Sequence, residues 1–327
     1  MKNLRRILPF VICISIIAFM PFAYKKTNEK QDFIVTTPKH KYVLTLWNID
    51  VFEGGVGSRG DFLSGVSLDF KNSGNIVMVI NHTKESALNA IKSGSFPDMI
   101  SYGVGVDFVC KYAKALPQIS FLGGEYGDKI YAYPWCAGGY FIITKNEDNQ
   151  PIERLFVSQN DFNMPFGSIY FGKIEAKEII YKKPIDAYVS FLSASNSDAL
   201  LGTQRDIKRL EQRGVSFVAS PIRAFSDLVQ YVSVTTQDKS RFLECVEFIE
   251  YLISEKSQKK LTKIGMTSVF FDVYTDGALD GLDFSQVEYT VSPFTSADAI
   301  ARINGDIHGG NITNNSLLDF KNMLKRL

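Results

Sequence analysis

The sequence is poor in the residues that most often carry catalysis or bind metals. It contains only three histidines, His40, His82 and His308, and no two of them lie at the spacing of metal ligands. The chain also lacks a Gly-x-Ser-x-Gly nucleophile motif, a phosphate-binding Walker loop and a Cys-x-x-Cys pair. We therefore expect no catalytic residues, no resident metal and no cofactor.

Cysteine is also scarce. Of the four cysteines, Cys13 lies in an N-terminal apolar run, and Cys110, Cys136 and Cys245 are widely spaced and odd in number. Such a pattern specifies no disulfide framework. We expect mostly free, buried thiols, with a single disulfide as the alternative.

Neither sign of charge is in excess. The chain has 36 lysines and arginines against 35 aspartates and glutamates, and its formal net charge is +1. Nothing in this balance indicates a nucleic-acid-binding protein. The 327 residues are 45% hydrophobic, which is sufficient for two globular domains with real cores.

The N-terminus has the pattern of a targeting segment. Lys2, Arg5 and Arg6 precede an apolar run that ends near residue 24. Residues 1–24 are predicted to be a signal peptide or an uncleaved signal anchor, and both alternatives stay open. Residues 25–41 are polar and without periodicity, which is typical of a flexible spacer. The folded part is expected to begin near Tyr42 and to lie outside the cytoplasm.

From Tyr42 onward the pattern alternates between strands and helices. Strands are predicted at 42–47, 75–80 and up to 101, with helical periodicity at 58–70 and 84–92. This alternation predicts an α/β fold with a parallel sheet covered by helices. The strongest helical pattern is at 239–261, and no internal repeat is visible in the sequence.

Residues 130–144 contain an apolar run that is interrupted by small residues. Pro134 breaks the run, Ala137, Gly138 and Gly139 follow, and the apolar pattern resumes at Tyr140. Small residues between two strands suit a hinge between two lobes, with Trp135 and Tyr140 placed where a cleft would open. The alternative is a buried strand pair joined by a turn.

A second candidate segment follows the first predicted strand. Trp47 offers an apolar face for a sugar ring, and the acids Asp50 and Glu53 offer hydrogen-bond acceptors for hydroxyl groups. A glycine-rich loop then leads to Ser58 and Arg59 at a helix start, where ligands of open α/β sheets bind. The alternative is a core tryptophan with solvated acids.

Two further segments supply candidate ligand-binding residues. Gln204 and Arg205 follow Gly202 at a predicted helix start, where backbone amides favour a polar or anionic ligand. Met266 lies in a turn after the strongest helix and would suit a cleft wall. The alternatives are an ordinary helix start and a core methionine.

Together these segments resemble the extracellular solute-binding proteins of ABC transporters, specifically the carbohydrate-binding group. The resemblance depends on five stretches in the right order between Tyr42 and about residue 271. They are the Trp47 strand with its Glu-Gly-Gly and Ser-Arg, Ser93-Gly-Ser-Phe-Pro-Asp-Met-Ile, the stretch 131–140, Gly202-Thr-Gln-Arg-Asp, and the Ser-Glu-x-x-Gln and Ile-Gly-Met of 248–265.

The resemblance implies a two-lobed periplasmic-binding-protein-like fold whose lobes are joined by a hinge of crossing strands. It implies a first lobe made of 42–136 and 233–285 and a second made of 137–232 and 286–327. It further implies a bacterial, monomeric, non-enzymatic protein at the cell surface or membrane. Such a protein captures a small solute, most simply a sugar, between its lobes and delivers it to an ABC transporter permease.

Two departures from the family pattern keep a second function open. No cysteine stands where the family carries its lipid anchor, and the stretch between Thr144 and Gly202 is shorter than usual, so the second lobe is expected to be smaller than typical. The alternative function is a membrane-tethered ligand sensor or interaction protein that keeps the fold without transport. An extracellular enzyme is disfavoured because no catalytic constellation is present.

Overall fold

The alternating pattern of the sequence builds two mixed β-sheets with helices packed against them. The computed structural model describes residues 42–52, 55–70, 74–117, 123–145, 151–274, 277–279, 281–308 and 313–326. The predicted leader and spacer, residues 1–41, and the candidate Glu53 lie outside the described residues.

The elements of the described ranges follow one another as strands and helices with short connections. The strands are β1 (Val43–Ile49), β2 (Ile76–His82), β3 (Met99–Gly103), β4 (Glu125–Tyr126), β5 (Lys129–Ile130), β6 (Tyr133–Ala137), β7 (Tyr140–Thr144), β8 (Ile152–Ser158), β9 (Ala176–Lys182), β10 (Ala199–Thr203), β11 (Val218–Ile222), β12 (Val229–Val234), β13 (Tyr289–Val291) and β14 (Leu324–Arg326). The helices are α1 (Arg59–Asp69), α2 (Lys84–Lys92), α3 (Phe166–Gly172), α4 (Pro184–Leu192), α5 (Gln204–Gln212), α6 (Lys239–Leu252), α7 (Glu255–Gln258), α8 (Ala297–His308) and α9 (Asn314–Met323). Short 3₁₀ segments lie at Asp107–Lys111, Lys259–Ile264 and Phe284–Gln286.

The two large sheets share one strand order. The first is β2-β1-β3-β12-β6 and the second is β9-β8-β10-β7-β11. In each, three strands are parallel, and the fourth, β12 or β7, runs antiparallel to both of its neighbours. The two sheets therefore resemble each other in arrangement, although the antiparallel strand comes last along the chain in the first sheet and first in the second.

Helix α1 shows how local sequence sets the packing on the first sheet. The Ser58 side chain caps the helix by accepting from the backbone of Asp61, and Phe62, Leu63 and Val66 form its buried face. Gly60 lets the helix approach the sheet, because a Cβ there would stand 2.1 Å from Oδ1 of Asn81. The predicted helix at 58–70 is thus confirmed.

The long predicted helix at 239–261 is divided into three segments. Helix α6 ends at Leu252, Ser254 adopts an extended backbone and begins α7, and a 3₁₀ segment then ends at Gly265, whose φ is +64°. The apolar periodicity runs through these breaks, so it could not locate them. No helix in the described ranges is long and apolar enough to cross a membrane.

Two features bear on the expected lobe boundaries. All six residues of β12 belong to the first sheet, so the connection between the sheets is 223–228 rather than a point after residue 232. Leu279 and Leu282, which the sequence places with the first lobe, pack in the core of the second sheet. The expected free thiols are confirmed: Cys110, Cys136 and Cys245 are unpaired.

An ion pair ties α6 to the first sheet. The buried Asp98 accepts from the backbone of Thr45 at 2.8 Å and from Nε of Arg241 at 2.7 Å. Burial alone would raise the pKa of Asp98, but the bonds from Arg241 and Thr45 outweigh it, so this pKa lies below its ordinary value.

Replacing Asp98 by asparagine is expected to reduce the free energy of unfolding by about 2 kcal/mol at pH 7, because a partly buried guanidinium loses its partner. Urea unfolding measures the change. The matched control is Glu153→Gln, which breaks the exposed pair with Lys177 and should cost less than about 0.5 kcal/mol. Equal effects of the two substitutions would contradict this account.

Candidate functional site

The carboxyl edges of the two sheets face each other, because both connections between the sheets leave from those edges. Ala137 ends β6 and Tyr140 begins β7 only three positions later. Tyr140 is the register partner of Thr203 at the carboxyl end of β10 and of Ile222 at the end of β11. Ala137 pairs with Val229, the first residue of β12. The space between these edges is where ligands of open α/β sheets bind.

The predicted hinge residues lie at the centre of this junction. Ala137 exchanges two backbone hydrogen bonds of 2.9 Å with Thr267, and the Gly138 amide donates to the Leu228 carbonyl at 2.6 Å. A Cβ on Gly139 would stand 2.3 Å from Cδ1 of Leu282. All three are buried, so small side chains are required here by close packing.

Gln204 and Met266 fill the junction rather than line an open wall. Gln204 Oε1 accepts from the Gly139 amide at 3.1 Å, and its Nε2 lies 3.4 Å from Sδ of Met266. Both side chains are fully buried. The loop after β1 rests on the same methionine, since a Cβ on Gly55 would stand 2.9 Å from its sulfur.

Asp50 and Arg59 form an ion pair at the carboxyl end of β1. Nε of Arg59 donates to Oδ1 of Asp50 at 2.8 Å, and Nη2 donates to the carbonyl of Phe52 at 2.8 Å. Asp50 keeps 38% of its side chain exposed, whereas Arg59 is only 5% exposed. The hydrogen-bond acceptor that faces solvent at this edge is therefore the Asp50 carboxylate, and Arg59 already balances its charge.

A buried row of polar side chains continues from this ion pair beneath α1. Asn48 donates to Asn81 at 3.0 Å, and Ser101 donates to Asn48 at 3.2 Å. Gln230 Nε2 donates to Ser101 Oγ at 3.0 Å and to the Ile49 carbonyl at 3.1 Å. These strands thus present amides and a hydroxyl, instead of aliphatic groups, near their carboxyl ends.

The two tryptophans occupy different environments, and neither presents an open face. Trp47 lies inside β1, and its ring centroid is 4.4 Å from that of His82, whose pKa is lowered by burial. Trp135 is fully buried, stacks on Phe62 at 5.5 Å and donates through Nε1 to Ser101 at 3.0 Å. Because Phe62 already covers its ring, Trp135 offers no open face to a ligand.

Tyr140 is held in a second buried polar cluster. Its hydroxyl donates to Oδ1 of Asp227 at 2.8 Å and accepts from Nδ2 of Asn163 at 3.1 Å. The Met164 amide donates to the other oxygen of Asp227 at 2.5 Å. Burial raises the pKa of Asp227 to about 6, since no ion pair within the described part of the chain joins it to a cation.

The remaining candidates lie on helix starts. Ser58 is exposed and caps α1, and Arg205 is half-buried in the first turn of α5. Thr203 and Asp206 form a capping box around Arg205. Nothing in the ranges described forms a group of three or more His, Cys, Asp or Glu that could hold a metal ion.

Sequence reasoning missed the polar row and Asp227. The sequence signal that could have found them is a polar residue within an otherwise apolar strand or connection. Examples are Val-Gln-Tyr-Val-Ser-Val of β12 and Asn48 at the end of Leu-Thr-Leu-Trp-Asn. Such residues are seldom buried without a hydrogen-bonding role, so a polar residue within a buried strand predicts a polar cluster.

Among the comparisons with known proteins, only solved structures match, and they show the fold of the chain. No protein-family model and no curated protein matches the sequence. Among solved structures, a cyclo/maltodextrin-binding protein complexed with maltotetraose superposes with a TM-score of 0.56 at 12% identity, covering 86% of this chain and 96% of that one.

Two further structures are more distant. The maltose/maltodextrin-binding domain MalE from Bdellovibrio bacteriovorus bound to maltotriose gives a TM-score of 0.49 at 14% identity over 83% of this chain and 95% of its own. A substrate-binding domain of a putative molybdenum ABC transporter from Clostridium difficile gives 0.46 at 14% identity over 70% and 99%. The chain therefore has the two-lobed α/β fold of periplasmic binding proteins, as the sequence predicted.

Proposed function

We propose that this protein is an extracytoplasmic solute-binding protein that captures a polar solute between its two sheets and delivers it to an ABC transporter permease. The observation that carries the proposal is the junction itself: two sheets of similar arrangement meet at their carboxyl edges through two short connections. That arrangement allows hinge closure around a ligand. We propose no enzymatic step.

A carbohydrate or a related polar solute is the class that we propose for the ligand. Asp50 offers a partly exposed acceptor at the carboxyl end of β1. Ser58 and Arg205 lie at the starts of α1 and α5, which follow the carboxyl ends of β1 and β10. A structural neighbour was solved with maltotetraose, which makes that sugar the natural first probe. The lobes are joined by passages at 138–139, at 223–228 and between Ile264 and Leu279, because Leu279 packs in the core of the second sheet. The protein is attached to the membrane through its N-terminus and is a monomer.

A second candidate is a tethered sensor or interaction protein. It is favoured by one observation: Trp135, Tyr140, Gln204 and Met266 are fully buried and bonded to other parts of the chain. A gene for a permease beside this one would support transport, and a receptor kinase gene would support sensing.

A thermal-shift screen tests solute binding directly. We expect one solute among sugars, amino acids and oxyanions, present at a hundred times its dissociation constant, to raise the melting temperature by about 5 °C. Asp50→Asn should remove most of that shift, whereas Asp61→Asn on the exposed side of α1 should leave it intact. A flat response to every class would count against the proposal.

A further inference from the structure

Two apolar side chains cover the carboxyl end of β3. Val51 and Phe52 follow β1 directly and are only 8% and 5% exposed. They lie over Gly103, where a Cβ would stand 2.5 Å from Cγ2 of Val51 and 3.2 Å from Cδ1 of Phe52. The missing side chain at Gly103 is what allows the pair to settle there.

The groups beneath and beside this pair are polar, and two of them have unused hydrogen-bonding capacity. Gln230 Oε1 lies 3.6 Å from the same Cβ position of Gly103, and the guanidinium carbon of Arg59 lies 4.1 Å from the centroid of the Phe52 ring. Neither Gln230 Oε1 nor Arg59 Nη1 has a hydrogen-bond partner among the described residues, although both side chains are buried.

Such a contact is mismatched in its chemistry. A buried amide oxygen or guanidinium N–H without a hydrogen-bond partner destabilises the folded state. The aromatic ring of Phe52 compensates the guanidinium only in part, through a cation–π contact. A hydroxyl or amide group in the place of Phe52 would donate to Gln230 or accept from Arg59. The position therefore suits a polar solute better than it suits its present occupants.

We infer that Val51 and Phe52 form a displaceable plug over a polar pocket, and that solute must move the plug to reach Gln230 and Arg59. The inference rests on the proposed solute-binding function. It assigns Gln230 as a specificity-determining acceptor and the ligand as a group rich in hydroxyl or amide N–H.

Cys136 provides a reporter that needs no ligand. It is the cross-strand partner of Gln230, so the two side chains stand on one face of the sheet. It is fully buried, and burial raises the pKa of its thiol, which keeps it protonated and unreactive. With Cys13→Ser, Cys110→Ser and Cys245→Ala, it is the one thiol left in the full chain.

The test compares Phe52→Asn with Phe70→Asn, both in that background. Phe70 is similarly buried on the same sheet, but it packs against the aromatic rings of Phe248 and Tyr251. Phe52→Asn is expected to change the melting temperature by no more than about 3 °C, and Phe70→Asn to lower it by about 8 °C or more. Phe52→Asn should also speed the labelling of Cys136 by methyl methanethiosulfonate about tenfold or more under native conditions.

Two outcomes of the stability and labelling experiments would overturn the plug. A loss of melting temperature as large as that of Phe70→Asn would make Phe52 an ordinary core residue, and unchanged labelling would show that it does not control access. In a second experiment, maltotetraose is titrated into the parent protein and into Phe52→Asn. The variant should bind the sugar about tenfold more tightly than the parent, because no plug has to be displaced. Equal affinities would overturn the plug, whereas no binding to either protein would count against the carbohydrate proposal and leave the labelling result to decide the plug.

Discussion

Replacing Gly139 by valine is expected to reduce the free energy of unfolding by about 3 kcal/mol and to abolish solute-driven closure. The new Cβ would stand 2.3 Å from Cδ1 of Leu282, which is itself buried in the core of the second sheet. The φ of Gly139 lies outside the left-handed region, so the cost is steric and does not come from backbone strain. Urea unfolding measures the stability, and small-angle scattering with and without solute measures compaction.

Two variants make this expectation sharp. Gly65→Val places the same side chain on the exposed side of α1, where a Cβ meets nothing within 4 Å, and should change stability by less than about 0.5 kcal/mol. Leu282→Ala combined with Gly139→Val should recover part of the lost stability, because it removes the atom that collides. A hinge role fails if the double variant regains stability and still compacts on binding solute as the parent does.

A hinge whose small residues only allow flexing would accept valine without loss of the fold, whereas the packing around Gly139 makes a loss of stability the expected result. The small residues at 137–139 indicate that another part of the chain approaches closely. The side chain that approaches Gly139 is Leu282, which lies 143 positions further along the chain. A local pattern indicates that space is limited. It does not indicate which side chain limits it.

Much of the first sheet could be predicted from the sequence, because its signals are local. The helix at 84–92 has its N-cap at Thr83 and buries Ala87 and Ile91 at helical spacing. The strands β1, β2 and β3 are short apolar runs bounded by turns, and their alternation with helices predicted a parallel sheet.

The second sheet was harder to predict, since its edge strand carries little apolar pattern. In β9 the sequence Ala-Lys-Glu-Ile-Ile-Tyr-Lys is exposed or half-buried throughout, because the strand pairs only with β8. No strand was predicted at β10, which the Thr203 capping box separates from α5 within one residue. The hydrophobic periodicity of a segment does not show whether its strand lies at a sheet edge or which side chain caps its helix, because both depend on contacts with other residues.

That the candidate residues bind a ligand stays a prediction, and the structure shows only how their side chains are packed. Arg59 donates to Asp50, and the Gly139 amide donates to Gln204, each pair near a carboxyl edge of the sheets. Trp47, which was expected to offer its face to a sugar, and Trp135, which was expected at the cleft, are both buried, and Trp135 stacks on Phe62 of α1. An aromatic residue at the end of an apolar run satisfies a core and a cleft equally well, and only the tertiary contacts distinguish the two.

Asp227 is expected to give the second large effect, because it is a buried carboxyl group that no cation balances among the described residues. It joins the second connection between the sheets to Tyr140 and Met164. Tyr231 also faces it and, like Tyr140, is buried with a pKa raised by burial. None of these neighbours carries a positive charge, so the ionised form of Asp227 is held by hydrogen bonds alone.

The sign of the pH dependence follows from the raised pKa. The carboxyl group titrates near 3.8 when unfolded and near 6 when folded. Below about pH 4 both states are protonated and the native state keeps its full stability. As the pH rises through 6, the unfolded state has already lost its proton, and this group's contribution, about 3 kcal/mol, is lost.

Asp227→Asn is therefore expected to raise stability at pH 7 by about 2 kcal/mol and to flatten the fall in stability between pH 4 and pH 6. The amide keeps the size of the side chain and can still accept from the Met164 amide, but it never ionises. Asp198→Asn is the control with the opposite expected sign. The hydrogen bonds from Arg154 lower the pKa of Asp198 to about 2, so replacing this carboxylate by an amide should destabilise the protein at pH 7. Urea titrations from pH 4 to pH 8 measure both variants. A stability curve for Asp227→Asn that runs parallel to that of the parent would show that Asp227 is not the group that titrates there.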